Sequence, residues 1–252
     1  HQVSLKVGET LRAKKRFEQF AKESGVTVKG YCADNVPFGT QEFVEDVTQC
    51  GQKIDFSGVG AHHQNGVAER AIGTITRLAR TMLLQHAILW PERADLKLWP
   101  FAMEHAVYLW NNLPKEDGAL SPIEVFTGVK MDTYEHIAHS HVWGCPVYVL
   151  DPKLQDGKKL PKWEPRARRG MYLGVSSDHS TSTIARVLNL RTGHISPQFH
   201  LVFDDKYSTI NNQENAGLVD PSRFNADSWE QLIESGYELY LDPDEPDRPD
   251  LE

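Results

Sequence analysis

Two carboxylates, Asp34 and Glu69, stand 35 positions apart in settings that could do metal chemistry. Tyr31-Cys32-Ala33-Asp34-Asn35 ends a strand-like run, and Gln64-Asn65-Gly66-Val67-Ala68-Glu69-Arg70 opens a helical one. Two-metal phosphoryl transfer needs carboxylates on rigid elements, bridging ions about 3.5–4 Å apart. Oxygen-only ligands suit Mg²⁺ or Mn²⁺ rather than zinc. On spacing alone, a turn-forming Asp-Asn and a solvated helix-start Glu are the plainer reading.

The elements that must position the pair follow from the pattern. Residues 2–7 alternate apolar and polar side chains, which predicts a half-buried strand. Residues 10–23 read as a helix with Leu11, Ala13, Phe17, Phe20 and Ala21 inward, stopped by Gly25. Residues 26–32 read as a strand, with Asp34-Asn35 following at its end. Residues 41–48 form a short helix packing Phe43, Val44 and Val47, and 53–56 another strand. Alternating strands and helices predict an α/β domain with parallel strands. After a Gly/His/Gln/Asn loop, a long helix is predicted over 67–86. Asn65 is its N-cap candidate, and Glu69 suits the positive end of the dipole. Its wheel gathers Ala71, Ile72, Ile75, Leu78, Ala79, Met82 and Leu83 inward. Glu69, Gly73, Thr76 and Arg80 form the opposite stripe, with Arg77 beside it.

Further on, Pro100 marks a first helical position, with an apolar helix over 101–113. Ser121-Pro122-Ile123-Glu124 starts a short helix that Gly128 stops. Runs at 142–150, 169–174, 184–190 and 199–203 predict a small all-β unit. From 208 the chain is acidic and largely disordered in character, with a short helix at 228–236.

Composition limits the classes. The net charge of −8 is an average over unlike parts. Residues 204–252 hold 14 acids and 3 bases, whereas 153–191 hold 9 bases and 3 acids. The second segment and the start of the chain, with Lys6, Arg12, Lys14, Lys15 and Arg16, suit a polyanion partner. The three cysteines, Cys32, Cys50 and Cys145, include no CxxC and argue against a disulfide framework or a zinc site. No apolar run reaches membrane-spanning length, so no membrane partner is expected. The chain opens on His1 rather than Met, without a signal-peptide pattern, as expected of a piece of something longer, processed or truncated, and its sparse cysteines suit a reducing, intracellular setting.

Beyond spacing, Ala33-Asp34-Asn35, Phe38-Gly39, Glu42-Phe43 and His63-Gln64-Asn65-Gly66-Val67-Ala68-Glu69-Arg70 together resemble the integrase core of Copia-type retrotransposons. The likeness continues through 106–114, 121–128 and His141-Val142-Trp143-Gly144-Cys145-Pro146-Val147-Tyr148-Val149. Arg169-Gly170-Met171-Tyr172-Leu173-Gly174-Val175 resembles the small Src-homology-3-like barrel that follows that core. The resemblance covers roughly residues 1–207. It implies an RNase H-like core over 1–130 lacking its first strands, a basic barrel over 131–207, and an acidic tail over 208–252. It also implies a D,D,E triad using Mg²⁺ or Mn²⁺ for 3′-end processing and strand transfer, with Asp34 as the second Asp and Glu69 as the Glu.

Two departures mark the active-site loop. Gly58 to His63 stand where the family commonly has Tyr, Thr and Pro, and Val36-Pro37 where it often has glycines. A larger one is that the 33 residues before Asp34 contain no Asp. The fragment alone is therefore expected to be inactive.

By the same likeness the partners are element-end and target DNA, in a homo-oligomer, with the nucleus expected in a eukaryotic host. The DNA-contact candidates are His63, Gln64, Asn65, Arg77, Arg80, Lys158, Lys159, Lys162, Arg166, Arg168 and Arg169, set against plain readings as loop, cap, solvated helix face and linker. His62 belongs with His63. Trp163 lies within the basic run, and basic residues near an aromatic suit nucleic acid. Charge contrast also allows the acidic tail to shield the basic run. The alternatives are a catalytically dead nucleic-acid-binding remnant of such an element, or another RNase H-like nuclease or transposase.

Overall fold

The computed structural model describes residues 6–34, 38–58, 66–116, 119–130, 137, 140–176, 179 and 184–210. The chain divides into two compact units between Thr74 and Ile75.

In the first unit, α1 (Val7–Glu23) ends where Gly25 takes φ 75°, its N–H donating to the Lys22 carbonyl at 3.0 Å. A side-chain-free residue reverses the chain there at little steric cost. β1 (Gly30–Ala33), α2 (Gln41–Gln49) and β2 (Lys53–Phe56) follow. The two strands pair in parallel, Gly30 opposite Lys53 through Ala33 opposite Phe56. Phe43 and Val47 of α2 are buried, and the rings of Tyr31 and Phe38 meet Phe43 edge-on.

The inward face of α1 is not the one its apolar residues mark. Thr10, Lys14 and Ala21 are buried, whereas Ala13 is exposed and Phe17 and Phe20 are 44% and 47% exposed. Lys14 is the centre of this seam. Its Nζ lies 2.8 Å from both Glu18 Oε1 and Asp46 Oδ2. The Tyr31 hydroxyl and the Gln52 amide also donate to Glu18, at 2.7 and 2.6 Å. Burial works against the ammonium, yet the two carboxylates hold the Lys14 pKa above its ordinary value. Burial likewise opposes the Glu18 carboxylate, but its three donors hold it below the usual range. α1 and α2 are thus joined by a desolvated charge network. The expected strand over 2–7 is corrected at its end: Lys6 is the N-cap of α1 and Val7 its first residue. The remainder of that expectation lies outside the described residues, as do the tail from 211 and its short helix.

The second unit begins within α3 (Gly66–Leu89). The buried residues of α3 are Ala79, Met82, Leu83, His86 and Ala87, one face at helical spacing. The predicted apolar face fails in the first turns, since Ile72 is 59% exposed. Short 3₁₀ turns at Pro91–Arg93 and Leu96–Leu98 lead into α4 (Trp99–Asn112), with Pro100 in its first turn. α5 (Pro122–Thr127) carries a capping box between Ser121 and Glu124, and Gly128 ends it at φ 69°. The Ser121 N–H and hydroxyl both donate to Glu124 Oε2, at 2.8 and 2.9 Å.

β3 (Pro146–Leu150), the short α6 (Pro152–Gln155), β4 (Ala167–Val175), β5 (Ala185–Asn189), β6 (Ile195–Gln198) and β7 (Leu201–Phe203) complete the unit. The strands form one antiparallel sheet in the order β6-β5-β4-β3-β7. The fold is therefore mixed α/β. Sequence reading misses β6 because Pro197 looks like a breaker. β6 is an edge strand, where a missing N–H is tolerated.

Both helices insert a histidine against this unit. His86 Nδ1 would lie 2.5 Å from any Cβ added at Gly144, whose φ is 80°. His105 lies 3.2 Å from the equivalent point at Gly174 and meets the Tyr172 ring edge-on at 5.7 Å. The approach at Gly144 leaves no room for a Cβ, and Gly174, at φ 115°, holds a backbone that favours glycine. Burial lowers the pKa of both imidazoles, that of His105 to about 4, so both are neutral at pH 7. An ion pair between Arg186 and Glu104 also ties α4 to β5.

Candidate carboxylate pair and nucleic-acid interface

Asp34 follows the last residue of β1, and Ser57 follows the last residue of β2. The parallel register therefore carries on one step beyond Ala33 and Phe56. The Ser57 N–H donates to the Ala33 carbonyl at 3.1 Å, and its hydroxyl donates to Asp34 Oδ1 at 2.7 Å. Asp34 is half-buried at the carboxyl end of a parallel pair, where open α/β sheets commonly place ligands. Ser57 is the orienting residue that sequence reading missed. The signal was there: two four-residue strands in parallel bring the residues after them side by side.

Glu69 lies in the first turn of α3, half-buried and within the same unit as Asp34. The loop residues His62, His63, Gln64 and Asn65 lie outside the described residues. Among the described residues, no three His, Cys, Asp or Glu side chains converge to hold a metal ion. Asp34 and Glu69 are two oxygen donors of the right class, and one oxygen of Asp34 already accepts from Ser57. The described residues do not amount to a two-metal site, which needs more carboxylates than these.

Arg77 and Arg80 are both exposed, one turn apart on α3 and in the second unit. The basic run occupies the connection between β3 and β4. That connection is a built loop. The Asp151 N–H donates to the Arg166 carbonyl at 2.9 Å and closes its base. Asp151 Oδ1 accepts from the Lys153 N–H at 2.8 Å, capping α6, and the Lys158 N–H donates to the Lys153 carbonyl at 2.8 Å. Gly157 turns the chain at φ 74°. Between Pro161 and Pro165 a tight turn is closed by the Glu164 N–H on the Pro161 carbonyl at 3.1 Å. Lys158, Lys159, Lys162 and Arg166 are exposed. Lys158 Nζ pairs with Asp156 Oδ2 at 3.4 Å, and the other two candidates are engaged or covered. Arg169 places its guanidinium 5.6 Å from the Trp90 ring centroid, and Arg168 is half-buried on β4.

His141 and Asp205 form a second cluster that could be mistaken for chemistry, with Cys145 nearby. His141 Nδ1 lies 2.9 Å from Asp205 Oδ2, and its ring stacks on Phe203. The Val142 N–H donates to Asp205 Oδ1 at 2.8 Å. Burial, then the Asp205 charge, push the Cys145 thiol up, away from the thiolate a nucleophile needs. The cluster anchors the chain into β3.

Comparison with known proteins finds similarity to a retroelement protein. Over 146 residues, 56% of this chain, it is 30% identical to the retrovirus-related Pol polyprotein from transposon TNT 1-94 of Nicotiana tabacum. The match covers 10% of that polyprotein, so the chain spans about a tenth of its length. The likeness is to a retroelement Pol protein. No protein-family profile matches the chain. Among solved structures, a chain from the cryo-EM structure of the simian T-cell lymphotropic virus intasome in complex with PP2A regulatory subunit B56 gamma aligns over 76% of this chain and 63% of its own. Its identity is 14% and its TM-score 0.35, too low to establish a shared fold. No helix among the described residues is long and apolar enough to cross a membrane.

Proposed function

We propose that this chain is an integrase-related segment of a Copia-type Pol polyprotein, and that it binds DNA. The observation that carries the reading is the 30% identity to a transposon Pol polyprotein over 146 residues. Two features of the chain support it. Asp34 and Glu69 hold the strand-end and helix-start positions of a carboxylate pair. Four exposed cations, Lys158, Lys159, Lys162 and Arg166, share one ordered loop.

In the longer protein the proposed activity is metal-dependent 3′-end processing and strand transfer, by an RNase H-like core and a Src-homology-3-like basic unit in a nuclear homo-oligomer. A Mg²⁺ or Mn²⁺ pair would supply activation of the attacking and leaving oxygens. This chain would contribute Asp34, oriented by Ser57, and Glu69. Neither replaces a third carboxylate, so the chain by itself is predicted to show no strand transfer in Mn²⁺. Turnover by the purified chain would overturn that assignment.

DNA binding is tested separately. Each phosphate neutralised adds about 0.9 to the slope of log affinity against log salt. Replacing Lys158, Lys159, Lys162 and Arg166 by Gln is expected to flatten the slope by about 2 to 4. Arg77→Ala with Arg80→Ala is expected to flatten it by about 1 to 2. A salt-independent affinity, or slopes unchanged in both variants, would refute DNA binding through these residues.

A further inference from the structure

Trp163 is 89% exposed, the largest exposure of any bulky apolar side chain among the described residues. Water-facing indole at that level is unusual in a loop otherwise fixed by hydrogen bonds. The turn between Pro161 and Pro165 holds the backbone, and the Lys162 ammonium sits 5.3 Å from the ring centroid. Lys158, Lys159 and Arg166 are exposed in the same loop. The site is thus one exposed aromatic face with an ammonium beside it, on a pre-ordered loop that carries three further cations.

That combination discriminates between forms of nucleic acid. Cations bind any phosphate backbone, duplex or single-stranded. An aromatic face gains little from duplex, whose bases are stacked on one another. It stacks readily on a base that has lost its partner, whatever that base is. We infer that Trp163 stacks on an unpaired base, so that this loop prefers single-stranded tails or frayed ends to fully paired DNA. This inference rests on the DNA-binding reading above and refines it: the cations supply affinity, and the indole supplies selection of unpaired ends.

The test uses the full chain and fluorescence anisotropy on two probes, a blunt duplex and the same duplex with a short unpaired 3′ tail. The wild-type chain should bind the tailed probe about tenfold more tightly, the factor one base–aromatic stack supplies. Trp163→Ala should weaken the tailed probe most and bring the ratio to about one, while Trp163→Phe keeps most of the preference. Lys158→Gln with Lys159→Gln should weaken both probes together and leave the ratio intact. A wild-type ratio of one, or a preference that survives Trp163→Ala, overturns the inference while DNA binding stands. Failure of the wild-type chain to bind either probe overturns the DNA-binding reading itself, and this inference with it.

Discussion

In the first unit the buried polar centre is a lysine ammonium between two carboxylates; in the second it is a pair of neutral imidazoles, each lodged against a glycine. The two units remove polar atoms from water by different routes. Lys14 keeps its charge because Glu18 and Asp46 replace the lost hydration. His86 and His105 give up their charge because burial outweighs what compensates for it, which for His86 includes the Arg93 carbonyl 3.3 Å from Nε2. One unit is therefore sensitive to the loss of a partner, and the other to the gain of a proton.

The sharpest way to break this contrast is to remove the ammonium. Lys14→Met removes the buried ammonium between Glu18 and Asp46, leaving Asp46 only the exposed Lys15 at 3.6 Å, and should cost the first unit about 3 kcal/mol. Amide exchange of α1 and α2 reads that loss locally. Adding Asp46→Leu and Glu18→Gln, whose amide oxygen still accepts from Tyr31 and Gln52, should recover part of it. A single variant as stable as the wild type would show that the network is incidental.

Next in size is the response to acid. The His105 pKa is lowered from 6.5 to about 4 in the folded state, so the unfolded chain binds more protons between those values. The second unit should therefore lose on the order of 3 kcal/mol as pH falls through that window. The first unit should hold until lower pH. Glu18 is depressed below its ordinary 4.5, and its contribution is present above that value and lost only beneath it. Urea unfolding at successive pH values, read separately for each unit, tests the order. His105→Leu should flatten the response of the second unit; an unchanged response would assign it elsewhere.

The smallest effect concerns the carboxylate buried in the second unit. Glu124 accepts from the Ser121 N–H and hydroxyl, which are neutral donors. Ser121→Ala removes the hydroxyl and should cost about 1 kcal/mol. A loss as large as that of Lys14→Met would mean that the two units do not differ in kind.

How much of this was legible beforehand depended on which signal each residue gave. α2, β2 and the capped α5 follow local rules, and the structure agrees with them to within a residue or two. Asp34 and Glu69 also stand at the strand end and helix start that their surroundings imply. α1 was misread because its phenylalanines outrank Lys14 on any apolar scale, yet the partners that bury Lys14 are 4 and 32 positions away. The wheel of α3 was right from Ala79 onward and wrong at Ile72, since periodicity cannot tell where packing begins along a helix. His86 and His105 lie on the buried faces that Ala79, Met82 and Leu83, and Ala102 and Ala106, mark by helical spacing, but a histidine there does not read as core on an apolar scale. Trp163 was visible as a residue, but its exposure was not.

Pro197 has one more consequence. Among the described residues the five-stranded sheet ends at β6 on one side and β7 on the other. An outer row of unpaired backbone groups invites another strand, and hence polymerisation. At β6 the proline interrupts that row, because its nitrogen has no hydrogen to offer. At β7 the edge is only three residues long. The sheet therefore gives a wandering strand little to grip on either side, which favours separate molecules over fibres at high concentration.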